Sequence, residues 1–263
     1  MCSIWAEAPR EKSRPLRAAA ALLLLAIALG GGCGRSQDPE TSANLTLKAL
    51  DGVTVAATLW MARGDHPPGL ILVHRRGADR SRWSAFAAQA EQHGYRVAAV
   101  DLRGHGGSRE QPPGALDYRN FEPGDWRDAL LDLEAARVLL MESGADPDNL
   151  FIAGEGLGSL LALQFVRDTP ELQGIVMLSP PLEEFGFDAT ALIAAAGDRP
   201  ALLLWTEGDA HAARAAAALQ DRAAGFLEAH SYPGTAQGTD IFVAAPAAAG
   251  QVFVWLEQMR DAS

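Results

Sequence analysis

Short, wholly apolar segments alternate with amphipathic ones between residues 70 and 259, and this alternation limits the possible folds more than any other feature. The apolar segments are continuous runs, such as LILVH at 70–74 and RVAAV at 96–100, which are typical of strands buried on both faces. The segments between them repeat apolar residues at helical spacing. Such an alternation predicts an α/β fold with a mostly parallel central sheet and helices on both faces.

A hairpin precedes the alternation. Residues 45–60 (LTLKALDGVTVAATLW) carry alternating apolar side chains on either side of Asp51 and Gly52, a dipeptide that favours a tight turn. We therefore expect antiparallel strands at one edge, in a sheet of about eight strands. The other predicted strands are 70–74, 96–100, 150–153, 174–178, 201–206 and 228–232, and the predicted helices are 82–93, 126–141, 158–167, 211–223 and 247–259. The side chains expected to face the core from the helix over 126–141 are Leu130, Leu133, Val138, Leu139 and Leu140.

The first 33 residues differ in character from the rest of the chain. Four basic residues between positions 10 and 17 lead into an apolar run over 16–29, and small residues follow. This is the order of a secretory signal, and the run is shorter than the about 20 residues that a membrane-spanning helix needs. An apolar N-terminal helix docked on the domain is the alternative interpretation.

Cys33 refines this interpretation. The stretch before it resembles a bacterial lipoprotein signal, in which a cysteine behind small residues is lipidated and becomes the mature N-terminus. The family's leucine-like residue three positions earlier is replaced by Gly30. Cleavage after Ala28 is the alternative, and it would release a soluble secreted or periplasmic protein. We favour lipidation, because a lone exposed thiol is a liability in an oxidising compartment.

Three segments follow from this interpretation. Residues 1–33 form a signal peptide with a lipidation cysteine, 34–44 a polar tether, and 45–261 one folded domain. We therefore expect an exported protein of the cell envelope, anchored to the membrane by its N-terminal lipid on the extracytoplasmic side.

Composition excludes several classes of protein. The chain has 22 Lys and Arg against 33 Asp and Glu, a net charge of −11, so it lacks the cationic excess of a nucleic-acid binder. With only two cysteines, a disulfide framework and a four-cysteine zinc site are excluded. The histidines are scattered and no phosphate-binding loop is present, so we predict neither a metal nor a cofactor.

Four motifs lie where predicted strands end, which is where ligand sites of such sheets are found. Together they resemble the α/β-hydrolase superfamily over about residues 45–257, with similarity to small dienelactone-hydrolase-like and serine-peptidase-like bacterial lipoproteins. The resemblance implies an α/β-hydrolase fold and, because only a short loop and helix fit between 178 and 201, no lid domain. The four motifs are HRRG at 74–77, DLRGHGGS at 101–108, GEGLG at 154–158 and EGD at 207–209.

The catalytic positions depart from the family. Its mechanism uses a serine, an acid and a histidine in that chain order. Here the nucleophile position holds Gly156 and the histidine position holds Gln237, while Asp209 retains the acid. Glycine has no attacking group, and an amide cannot act as a base. The resemblance leaves the backbone N–H groups of Leu157 and Arg75 as oxyanion-type donors, and we expect Asp209 to accept a hydrogen bond from Gln237.

Other polar residues near these motifs have structural interpretations. Ser159 is expected to pack inside a helix, and Glu155 to point away from the cleft. His74 and His105 are expected to support the turns that contain them.

Three functions remain open from the sequence. The first is a catalytically impaired pseudoenzyme that binds a small molecule, peptide or protein partner through the former active-site cleft. The second is an active ester or amide hydrolase with an unconventional nucleophile. The third is a structural envelope lipoprotein without a ligand. Whether the chain is an enzyme is therefore undecided, and the oligomeric state is not predicted.

Overall fold

The strands and helices follow the order that the sequence predicts. A computed structural model describes residues 42–111 and 114–262. Its strands are β1 (Ser42–Lys48), β2 (Thr54–Trp60), β3 (Pro68–Val73), β4 (Arg96–Val100), β5 (Glu110–Gln111), β6 (Gly114–Ala115), β7 (Asp146–Glu155), β8 (Leu172–Leu178), β9 (Glu183–Glu184), β10 (Phe187–Asp188), β11 (Ala201–Thr206) and β12 (Leu227–Tyr232). Its α-helices are α1 (Ser84–Gln92), α2 (Pro123–Asp128), α3 (Leu130–Glu142), α4 (Leu157–Asp168), α5 (Ala189–Ala195), α6 (Ala210–Gln220), α7 (Asp240–Ala244) and α8 (Ala247–Ala262).

Eight of these strands form one sheet in the order β1-β2-β4-β3-β7-β8-β11-β12. β2 runs antiparallel to both β1 and β4, and the remaining pairs are parallel. The predicted α/β-hydrolase fold, with a mostly parallel sheet of about eight strands, is therefore confirmed. Between β8 and β11 the chain forms only the β9–β10 hairpin and α5, and no lid domain lies in this described segment.

The core lies on both faces of the sheet, because successive side chains of a strand point to opposite sides. Leu70 and Leu72 of β3 pack with α1 and α8 on one face. Ile71 and Val73 pack with α3 and α4 on the other face. All four side chains are fully buried, which explains why the strand is continuously apolar in sequence.

The predicted helix over 126–141 differs from the structure in two ways. It is divided at Ala129 into α2 and α3. Val138 is 40% exposed, so the expectation that it faces the core is wrong. The buried face of α3 instead repeats at helical spacing and includes a carboxylate; its members are Asp132, Leu133, Ala136 and Leu140. Asp132 is buried because it pairs with Arg103 of a neighbouring turn.

The N-terminal interpretation lies mostly outside the described residues. The signal segment, Cys33 and residues 34–41 are among those that the structure does not describe. Strand β1 begins at Ser42, so the last three residues of the predicted tether belong to the sheet. Within the described chain, every helix is too short or too polar to cross a membrane.

Candidate active-site cleft

The cleft lies at the carboxyl edge of the sheet, where adjacent strands β3, β7, β8 and β11 each contribute a residue. Its volume is about 180 Å³. Gly156, Asp209, Gln237 and Arg75, which the sequence singled out, all line it. Ser179 and Glu184 line it as well, although the sequence analysis did not select them. The nucleophile, acid and histidine positions of the family pattern therefore lie in one cleft.

The turn between β7 and α4 keeps the conformation that would present a nucleophile. Gly156 has φ 54° and ψ −127°, a region that side chains rarely occupy, and its N–H donates to the Leu178 carbonyl at 3.0 Å. A Cβ atom added at Gly156 would meet the Cβ of Arg75 at 3.0 Å and its Cα at 3.9 Å. The backbone of the elbow is thus present, and the position at its apex carries no functional group.

Asp209 is used locally by the helix that follows it. Its Oδ1 accepts the N–H of Ala212 at 3.0 Å, which caps the N-terminus of α6, and the residue is 5% exposed. The expected hydrogen bond from Gln237 is not among those formed by the described residues, so that expectation is wrong. Gln237 instead lies exposed at the cleft.

The two oxyanion-type donors have different surroundings. Leu157 is the first residue of α4, where backbone N–H groups have no acceptor within the helix. The N–H of Arg75 lies 3.5 Å from Oε1 of Glu155 and is directed at that carboxylate. Leu157 is therefore the better placed of the two donors for a ligand in the cleft.

Glu155 is fully buried and is not among the residues that line the cleft. Its Oε2 accepts the N–H of Thr239 at 2.9 Å and the Thr239 hydroxyl at 3.2 Å. The Arg82 guanidinium lies 3.7 Å from Oε1. A Cβ at Gly238 would collide with the carboxylate. Glu155 thus joins the loop after β3 to the loop that carries Gln237, a tertiary role that the sequence did not indicate.

His74 and His105 support turns and do not enter the cleft. His74 Nε2 accepts the N–H of Leu102 at 3.0 Å, and His105 Nε2 accepts the N–H of Gly77 at 3.1 Å. Burial lowers the pKa of each ring from its usual 6.5 to about 4, and the charge of His74 further lowers that of His105. Both rings are therefore neutral near pH 7. Ser159 is likewise buried, with its hydroxyl donating to the Gly154 carbonyl at 3.1 Å.

Two further polar residues, which no sequence motif singled out, line the cleft. Ser179 follows β8, has φ 46°, and its hydroxyl accepts the N–H of Gly238 at 3.1 Å. In the sequence, its position directly after the strand adjacent to β7 is the feature that could have indicated a place in the cleft. His211 is exposed, and its Nδ1 lies 2.9 Å from an Arg214 nitrogen. Because arginine only donates, this contact places the histidine proton on Nε2.

No group of three or more metal-ligating side chains is found in residues 42–111 and 114–262. Of the charged residues that line the cleft, Glu184 forms an ion pair. Glu184 accepts from Arg76 at 3.1 Å, and burial raises its pKa although Arg76 opposes the shift.

The strand order, the elbow and the cleft at the carboxyl edge define an α/β-hydrolase. The match to a family model over residues 65–219 shows that the chain belongs to the serine aminopeptidase S33 family. No curated protein matches the chain.

Solved structures share this architecture. DcsB, in complex with its substrate analogue, superposes with a TM-score of 0.69 at 11% identity and covers 82% of this chain and 98% of its own. The acetyl xylan esterase from Paenibacillus sp. R4 gives 0.68 at 17% identity, covering 86% of each chain. A thermostable carboxyl esterase from Bacillus coagulans gives 0.65 at 12% identity, covering 84% of this chain and 99% of its own. At these identities the likeness is one of fold.

Proposed function

We propose that this chain is a catalytically impaired α/β-hydrolase that binds a ligand through the former active-site cleft. In this proposal the protein is exported to the cell envelope and anchored through a lipid on Cys33. The fold provides a concave site with backbone donors, and the residues that would carry out acyl transfer are replaced.

The observation that most supports a loss of catalysis is that Gly156 and Gln237 line the same cleft. The elbow backbone is formed, so the missing nucleophile is not explained by a displaced turn. With neither a nucleophile nor a base, the serine pathway has no first step. What remains is a cleft with a helix N-terminus at its floor, suited to binding.

A second candidate is hydrolysis through a relocated serine, and it is favoured by Ser179 and His211 lining the cleft together. The histidine nitrogen that would accept the serine proton must be unprotonated. The Arg214 contact to Nδ1 leaves the proton on Nε2, so His211 offers no free acceptor unless that contact breaks. We therefore place this function second.

The test is a fluorophosphonate probe and a set of short-chain nitrophenyl esters applied to the full-length protein. We expect no covalent labelling and no turnover above the uncatalysed rate. Labelling that disappears in Ser179→Ala would replace the first function with the second. Labelling that survives in Ser179→Ala would point to a nucleophile elsewhere, and it would also end the proposal of an impaired enzyme.

The lipid anchor has a separate test. In a bacterial host, the full-length chain should incorporate a labelled fatty acid and fractionate with membranes. Cys33→Ser should abolish both. Fatty-acid labelling that persists in Cys33→Ser would overturn the assigned position, and a wild-type protein found only in the soluble fraction would favour cleavage near Ala28.

A further inference from the structure

Two cleft-lining groups of opposite charge have unfilled hydrogen-bonding capacity, and Arg75 is the first of them. Among the described residues its guanidinium forms no ion pair, whereas its neighbour Arg76 pairs with Glu184. Arg75 is half-buried, and its charge helps to lower the pKa of Asp240, which Arg82 lowers more strongly. A partly desolvated arginine that lines a concave site and has no ion-pair partner favours an anionic ligand.

The second group is the Asp209 carboxylate. Its Oδ1 is occupied by the N–H of Ala212, and no donor from the described part of the chain reaches Oδ2. Asp209 is 5% exposed and lines the cleft, so Oδ2 can be satisfied by a ligand donor or by water. A carboxylate this buried gains most from a charge-assisted hydrogen bond.

The sheet order sets these groups apart along the cleft. Arg75 follows β3 and Asp209 follows β11, with β7 and β8 between them. Three strand spacings separate their backbones by roughly 14 Å, and the arginine side chain reaches part of that distance. Leu157 begins α4 directly after Gly156, where an added Cβ would lie 3.0 Å from the Cβ of Arg75. The middle of the cleft is lined by apolar groups of Pro180 and Pro181.

We propose that the cleft binds a short linear carboxylate that carries an amine at its far end. Its carboxylate lies between the Arg75 guanidinium and the N–H of Leu157, and its amine donates to Oδ2 of Asp209. The methylene or peptide segment between the two ends packs on the prolines. This inference rests on the proposed loss of catalysis, because it places the Arg75 side chain beside the position that an attacking serine would occupy.

The contact between Arg75 and the elbow supports this arrangement. The Cβ of Arg75 lies 3.0 Å from where a Cβ of residue 156 would be. The glycine at 156 therefore leaves room for Arg75 beside the turn. A serine at 156 would bring its Cβ into tight contact with the Cβ of Arg75, and glycine avoids this contact.

The experiment uses four probes on the full-length protein, with affinity measured by isothermal titration calorimetry or ligand-observed NMR. Valerate offers the anion alone and pentylamine the amine alone. 5-Aminovalerate carries both ends, and glycylglycine carries both at the same separation with a peptide bond between them. We expect 5-aminovalerate to bind at least about tenfold more tightly than either single-ended probe. The comparison with glycylglycine then separates a free amino acid from a peptide as the source of the two end groups.

The variants assign each end. Arg75→Gln should weaken valerate and 5-aminovalerate at least about tenfold, whereas Arg119→Gln, an exposed arginine outside the cleft, should leave both unchanged. Asp209→Asn keeps a residue that caps helices well, and it should reduce 5-aminovalerate to the affinity of valerate.

Two outcomes overturn the inference. Pentylamine binding as tightly as 5-aminovalerate, or affinities that Arg75→Gln leaves unchanged, would refute the assignment of the anion to Arg75. Absence of binding by all four probes would refute the ligand class but leave the loss of catalysis intact. Fluorophosphonate labelling, in contrast, would refute the proposed function whatever the probes do.

Discussion

Two turns at the same edge of the sheet differ in how completely their polar groups are satisfied. In the turn after β4, Asp101 accepts the N–H groups of Arg80 and Gly107, both at 2.7 Å, and pairs with the Arg80 guanidinium. Arg103 in the same turn donates to Asp132 at 2.8 Å and to Asp51 at 2.7 Å. In the cleft, by contrast, the Arg75 guanidinium and one oxygen of Asp209 have no partner among the described residues.

The comparison distinguishes polar groups that stabilise the fold, in the turn after β4, from polar groups in the cleft that remain open to a ligand. The turn after β4 uses its side chains to bind backbone and buried charges, so a substitution there removes structural interactions. The elbow uses only backbone at its apex, and glycine accommodates φ 54° at least as well as serine. The nucleophile can therefore be lost without loss of the fold.

The largest effect is expected where a buried charge loses its main partner. Asp132→Ala removes the main partner of the buried Arg103 guanidinium and the acceptor of its backbone N–H at 2.7 Å. We expect the free energy of unfolding to fall by about 3–5 kcal/mol, because the buried guanidinium keeps only the partly exposed Asp51 as a partner. Urea denaturation measures this change.

An exposed pair provides the control for that prediction. Arg167 and Asp168 form an ion pair at 2.8 Å on the surface of α4, with more than a third of each side chain exposed. Arg167→Ala should cost less than about 1 kcal/mol. Equal losses of unfolding free energy in Asp132→Ala and Arg167→Ala would show that the buried ion pair contributes no more to stability than the exposed one.

The second prediction restores the two missing catalytic side chains to the cleft. Gly156→Ser with Gln237→His should create a serine that fluorophosphonate labels, with ester hydrolysis at least about a hundredfold above the wild-type protein. Since Arg75 lies 3.0 Å from the new Cβ, adding Arg75→Gly should raise the labelling rate further.

Each single substitution serves as the control for this pair. Gly156→Ser alone lacks a base, and Gln237→His alone lacks a nucleophile, so neither should label. A double variant that keeps the wild-type circular dichroism and melting transition yet never reacts would show that these two positions are wrongly assigned.

The sequence predicted the parts of this molecule that depend on periodicity. β4 and β11 have the predicted bounds, because continuous apolar runs between polar turns leave little freedom in their register. The order of motifs at strand ends also predicted which residues would meet, since parallel strands place their carboxyl ends at one edge.

Tertiary partners were not predictable in this way. The buried Asp132 pairs with Arg103, 29 positions away, and the periodicity of apolar residues in α3 does not reveal this partner. The contact of Glu155 with Thr239 spans 84 positions and links two loops whose sequences carry no shared pattern. The position of Asp209 directly before a helix does predict the capping bond, which occupies the oxygen otherwise open to Gln237.

The third prediction concerns pH and the two neutral histidines. The pKa of His74 and of His105 is about 4 in the folded protein, below the usual 6.5 expected for the unfolded chain. The unfolded state therefore binds more protons between these values, and stability falls as the pH falls from 6.5 toward 4. Each ring should account for about 2 kcal/mol of the loss between pH 7 and pH 5.

A substitution isolates this contribution from those of the carboxylates. His105→Gln cannot titrate and retains an acceptor for the N–H of Gly77. Measured by urea denaturation, its loss of stability between pH 7 and pH 5 should be smaller than that of the wild-type protein. An identical pH dependence in both proteins would contradict the lowered pKa of His105.

The smallest predicted effect joins the two regions, because Glu155 is structural although it lies beside the elbow. Gly238 has φ 57°, and a Cβ there would collide with the Glu155 carboxylate. Gly238→Ala should therefore cost about 1–2 kcal/mol more in the wild-type protein than in a Glu155→Ala background, where only the backbone strain remains.

Gly234 gives the matched control for this cycle. It also has a positive φ, 113°, but an added Cβ would meet nothing within 4 Å. Gly234→Ala should cost the same in both backgrounds, since only backbone strain is involved at that position. If Gly238→Ala also cost the same in both backgrounds, the two substitutions would be additive. The buried Glu155 carboxylate would then not be the group that fixes the loop that carries Gln237.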